Sequence, residues 1–176
     1  MNLDFVTINC EDRTDVDYLK MVEVATKLFP ITILDEISDK GSIQVLSRWK
    51  AAIEGKSYRA LLFQETFKKL KGKDPLIGMI KDPVIAFYHF FDRTNFKKAI
   101  YLVHDYMDER IGVVSLFYLE EDASSKLVAH ALGHKEGLRH HTEPIDLMYS
   151  ELLTSYQSIK QSFCPVSVDK LKKKEY

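Results

Sequence analysis

Three histidines and a glycine between residues 130 and 140, in the register His130-x3-His134-x2-Gly137-x2-His140, constrain the local geometry of this chain more than any other feature. A helix through Leu127, Val128, His130, Ala131 and His134 would stand the first two imidazoles one turn apart on the same face. Ser124-Ser125-Lys126 can start such a helix. Gly137 can take the left-handed conformation that ends it and turns the chain back, so that His140 approaches the same point from a third direction. Three neutral imidazoles suit Zn²⁺, although such sites accept other divalent ions, and they leave a fourth position on the metal, as catalytic sites do.

The stretch His130-Ala131-Leu132-Gly133-His134-Lys135-Glu136-Gly137-Leu138-Arg139-His140 resembles the metzincin motif HExxHxxGxxH at every position that places metal. It departs from the motif at Ala131, where the family has glutamate. Met148 falls where metzincins place the methionine turn beneath the zinc, although a flexible thioether is also an ordinary core filler. Within the metzincins the chain is most similar to the archaemetzincins, whose motif continues as His-Cys, four residues, Cys, one residue, Met. Here His140-His141, Thr142 to Ile145, Asp146, Leu147 and Met148 keep that spacing, with His141 and Asp146 in place of the two cysteines. The apolar strand ending Val113-Val114-Ser115-Leu116, with its short link into the zinc helix, is also similar.

The likeness runs from about Leu76 to Met148 and implies a zincin-like domain holding one zinc ion on His130, His134 and His140. Archaemetzincins carry a second zinc on four cysteines, which is not carried over because only Cys164 lies in the neighbouring region. His141 and Asp146 read as a solvated pair, since two ligands do not make a zinc site.

In a zinc peptidase the metal activates water and polarises the scissile carbonyl, while the glutamate moves the proton. Ala131 cannot do so, and general acid–base help is worth about 10² to 10⁴ in rate, so the expectation is a site that binds zinc and hydrolyses peptides poorly. Glu136 lies about 200° around the helix from His134 and points away. Glu143 and Asp146 follow the third ligand on a loop that nothing fixes. His104 reads as a structural or surface histidine and Tyr149 as a buried aromatic. Two functions follow. One is a metallopeptidase scaffold on which extended peptides add along an Ala99 to Tyr106 edge by strand pairing. The other is a non-catalytic, zinc-stabilised peptide-binding or structural protein.

At 176 residues the chain makes one domain with a sizeable core. Residues 1–169 are assigned to it and 170–176 to a basic tail. A net charge of -1 gives no pull toward nucleic acid or a membrane surface. The basic runs Lys68 to Lys73 and Leu171 to Lys174 are read as helix-end and tail solvation. The lack of a secretory start or a bilayer-length apolar run points to a cytoplasmic protein. Cys10 and Cys164 are too far apart in sequence to suggest a thiolate cluster.

Apolar patterning predicts strands at Leu3 to Asn9, Ile31 to Ile37, Leu76 to Ile80, Ala99 to Tyr106 and Ile111 to Leu116, with a reversal at Met107 to Arg110. Helices are predicted at Asp15 to Phe29, Leu46 to Ile53, Tyr58 to Leu70 and Ser124 to Gly137, with a further helix at the C-terminal end. The fold class is α/β (α+β), a mixed sheet with an antiparallel edge strand.

Overall fold

A computed structural model describes residues 2–9, 17–44, 58–59, 74–92, 95–107, 110–140, 142–149 and 162–173. The main sheet is built on β1 (Asn2–Asn9), which pairs in parallel with β2 (Glu36–Gln44) on one side and β4 (Leu76–Ile80) on the other. β4 pairs in parallel with β8 (Ile111–Ser115), and β7 (Asp105–Met107) closes the row as an antiparallel edge. A second, three-stranded sheet runs in the order β3 (Tyr58–Arg59), β5 (Val84–Asp92), β6 (Asn95–Val103).

β4 and β8 are buried along their whole length, as parallel strands covered on both faces must be. Their side chains alternate between two apolar layers. Leu3, Phe5, Ile77, Met79 and Val114 face α1 (Tyr18–Thr26) and α2 (Glu121–Lys135). Val6, Ile8, Leu76, Ile80, Ile111 and Val113 face the opposite way. The centre of α2 is buried on nearly every side, from Leu127 to Gly133, which explains how a helix with little amphipathic character is stable here. α3 (Pro165–Lys172) starts on a proline, whose missing N–H would have been unpaired there anyway, and buries Leu171. The boundary drawn before residue 170 therefore falls inside this helix. No helix among the described residues is long and apolar enough to cross a membrane.

Several expected elements shift. The strand expected at Ile31 to Ile37 forms instead at Glu36–Gln44, because Ile33 reaches the core from an irregular segment while the polar β2 is held by its ladder to β1. The first helix is shorter than predicted, spanning Tyr18–Thr26. Asp17 caps it by accepting from the Lys20 N–H at 2.9 Å, and i to i−3 bonds after Thr26 tighten the chain into a turn. Tyr58–Arg59 is strand rather than helix, pairing in parallel with Val84 and Ile85; the rest of that predicted helix, and Leu46 to Ile53, lie outside the described residues. β5 had no counterpart in the patterning. α2 begins at Glu121, a turn's worth ahead of Ser124, with Glu121 and Asp122 favourably placed against its N-terminal dipole.

The expected strand Ala99 to Tyr106 is two strands in two sheets. The chain leaves β6 after Val103 and joins β7 at Asp105. His104 makes the join: its carbonyl accepts from the Ser115 N–H at 2.6 Å, and its Nδ1 lies 3.1 Å from the Ser115 carbonyl.

Candidate metal centre

α2 ends as the sequence requires. Gly137 has φ +79°, its N–H donates to the His134 carbonyl at 2.9 Å, and the Leu138 N–H donates to the Gly133 carbonyl at 2.9 Å. This is a Schellman closure, sealed by the buried Leu138, and it folds His140 back over the helix face that carries His130 and His134.

The three Nε2 atoms form a triangle with sides of 3.0, 3.0 and 3.0 Å. His130 Nδ1 is 2.6 Å from the Leu147 carbonyl and His134 Nδ1 is 3.1 Å from the Leu138 carbonyl. A carbonyl only accepts, so both Nδ1 atoms carry the proton and both Nε2 atoms present lone pairs to each other. Lone pairs facing one another at this distance repel unless a cation lies between them. The donor set therefore fits a divalent ion, with the backbone fixing both tautomers and ring orientations. Among the described residues this is the one cluster of three or more ligand-type side chains close enough to share an ion.

Burial pushes the His130 imidazole down to about 4, against the pull of the Asp105 charge and the Leu147 bond, and so keeps it neutral at physiological pH. A consequence follows for the metal-free protein. In the unfolded chain this histidine takes its proton near pH 6.5, whereas the folded state holds out until about 4. The unfolded state thus binds more protons between those values, and stability present above pH 6.5 is lost as the pH falls toward 4, by about 3 kcal/mol. Urea denaturation of chelator-treated protein across that window measures it; a flat profile would refute it.

The site also rests on a buried carboxylate. Asp146 has no exposed surface. Its Oδ1 accepts from the Met148 N–H at 2.6 Å, and its Oδ2 accepts from the Cys164 N–H and the Ser167 hydroxyl, both at 2.9 Å. Burial alone would push its carboxyl up, but the bonds from Cys164, Met148 and Ser167 outweigh that and hold it below the usual range. The reading of Asp146 as a solvated partner of His141 on a loop that nothing fixes is thereby corrected: it is turned into the fold and fully engaged. His141 lies outside the described residues. Asp146 ties the turn carrying Leu147 and Met148 to the start of α3, and Met148 fills the space that Gly133 leaves open beneath α2.

Ala131 is completely buried beside His130. Glu143 is exposed on the loop, and Glu136 caps the end of α2. His104 is structural, as its bond to Ser115 shows, and Tyr149 is half-buried rather than buried. Asp105, unmarked by any sequence pattern, stands on β7 with Oδ2 3.9 Å from His130 Nε2 and 4.0 Å from His134 Nε2.

No protein-family model matches the sequence, and no curated protein sequence matches it significantly. Solved structures do match. The archaemetzincin of Methanopyrus kandleri aligns over 98% of this chain and 94% of its own at 18% identity, with a TM-score of 0.68. That of Archaeoglobus fulgidus, crystallised with malonate, aligns over 97% and 99% at 16% identity, with a TM-score of 0.63. A zinc-dependent peptidase from Methanocorpusculum labreanum aligns over 96% and 99% at 14% identity, with a TM-score of 0.58. At such identities the likeness is one of architecture, and it extends along nearly the whole chain: this protein has the archaemetzincin fold.

Proposed function

We propose that this chain is a zinc-binding metallopeptidase scaffold of the archaemetzincin kind, silenced at the proton-transfer step by Ala131. The observation that carries the reading is the triangle of Nε2 atoms, two of them presenting lone pairs because their rings are held by Nδ1–H bonds to backbone carbonyls, on a helix that ends in the motif's own glycine turn. His130, His134 and His140 would hold the ion, and Met148 would serve as the methionine turn below them. When bound, zinc acidifies a water and polarises a carbonyl. The protein's part is to orient the imidazoles through Leu147 and Leu138, and to offer a peptide the outer edge of β7. The edge next to the histidines is Asp105–Met107, not Ala99 to Tyr106, because residues 99–103 belong to the other sheet. An extended segment pairing there would run past the histidines.

Plasma mass spectrometry of the purified protein and of His134→Ala tests the metal assignment. About one zinc per chain is expected in the parent and none in the variant, as a single three-histidine site requires. A parent that takes up no metal even when zinc is supplied would overturn the reading.

A further inference from the structure

We propose that Asp105 is a fourth protein ligand of the metal, closing the three-histidine site into a His₃Asp centre. The inference rests on the metal-centre reading above and deepens it.

The geometry comes first. Donor atoms around a tetrahedral zinc stand roughly 3.3 Å apart, given bond lengths of about 2.0 to 2.2 Å. The three imidazole nitrogens stand 3.0 Å apart, and the Asp105 carboxylate oxygen is 3.9 and 4.0 Å from two of them. It is too distant to be hydrogen-bonded to either imidazole. It lies less than an ångström outside a fourth donor's place relative to these two nitrogens, within reach of a small side-chain rotation.

The backbone holds Asp105 there. It is the residue directly after the join at His104, whose carbonyl and ring are both tied to Ser115, and its own Cα is in register with Val114 of β8. The aspartate therefore comes from the rigid sheet edge and not from a loop.

Charge balance points the same way. Three neutral imidazoles leave a divalent ion's charge uncompensated beside a buried histidine, and position 131 contributes no carboxylate. A buried charge needs a partner. Asp105, half-buried, brings its negative charge to the face shared by His130 and His134. In the sequence the three histidines alone suggested an open fourth position; in the fold, that position has a protein carboxylate beside it.

The test uses zinc and cobalt on the full chain with Asp105→Ala and Asp105→Asn. Zinc affinity is measured by competition with a chromophoric chelator. Losing an outer-shell partner costs roughly 10- to 100-fold in affinity, so a direct ligand should cost more than about 100-fold in Asp105→Ala. The visible spectrum of the cobalt-loaded parent should be insensitive to azide, which finds no open position, while the cobalt-loaded variants should respond. Metal-free melting temperatures of all three proteins verify that the fold is kept, and Asp105→Asn preserves the side-chain shape if the alanine variant is unstable. A parent spectrum that shifts with azide, or an affinity loss below that mark, would sink the ligand assignment while leaving the three-histidine site standing. Failure of the parent to bind either metal would overturn both.

Discussion

In a protein carrying Asp105→Asn, so that the fourth metal position is open, replacing Ala131 with Glu raises hydrolysis of an extended peptide by about 10² to 10⁴, the range that one positioned acid–base group contributes. Residue 131 directly follows His130, one of the proposed metal ligands, on α2 and has no exposed surface. Burial draws the pKa of a carboxylate placed there upward and a bound zinc draws it down, so the group is ionised and able to take a proton from water at neutral pH. The measurement is turnover of a quenched fluorescent peptide library by Asp105→Asn and by the double variant at matched zinc content. Ala131→Glu alone should gain less, since a substrate carbonyl would have to displace the aspartate from the metal. A zinc-loaded double variant that stays silent would favour the non-catalytic alternative, in which the metal centre serves stability or peptide capture.

Asp146→Ala is expected to be the most destabilising single change near the site. It strips the acceptor from two buried backbone N–H groups and a buried hydroxyl, and each unmatched donor costs about 1 to 3 kcal/mol. A total of about 3 kcal/mol or more lowers the melting temperature of a chain this size by roughly 6 to 12 °C. Zinc affinity should fall with it, because the Leu147 carbonyl that orients His130 sits on the turn Asp146 shapes. Asp146→Asn keeps one carbonyl oxygen and should lose less. Calorimetry and chelator competition on the two variants check both parts, and an Asp146→Ala protein as stable as the parent would show that the knot is redundant.

What could be read from the sequence follows from where the information is stored. His130, His134, Gly137 and His140 form a local device: helix period and glycine turn place them, and eleven consecutive residues carry both. The buried strands β4 and β8 were equally legible, being short apolar runs. β2 was misplaced because Glu36–Gln44 is a polar strand specified by its neighbour β1 rather than by its own composition. β5 is absent from the predicted strands, although Val84-Ile85-Ala86-Phe87-Tyr88 has the aromatic and β-branched composition of one, because this run, which lies in a second sheet, does not alternate apolar with polar residues. Asp105 could not have been found this way, and Asp146, which the family spacing singles out, could not have been given its role. Each matters through partners that only the tertiary fold brings near: the Nε2 atoms of α2 for one, and the N-terminal end of α3 for the other.

The join at His104 has a mechanical consequence. Val103 is the last residue of a strand in the three-stranded sheet, and Asp105 is the first residue of the main sheet's edge. One amino acid thus separates the β5–β6 hairpin from the carboxylate beside the histidines. A displacement of that hairpin would therefore reach Asp105 through a single residue, itself tied to Ser115.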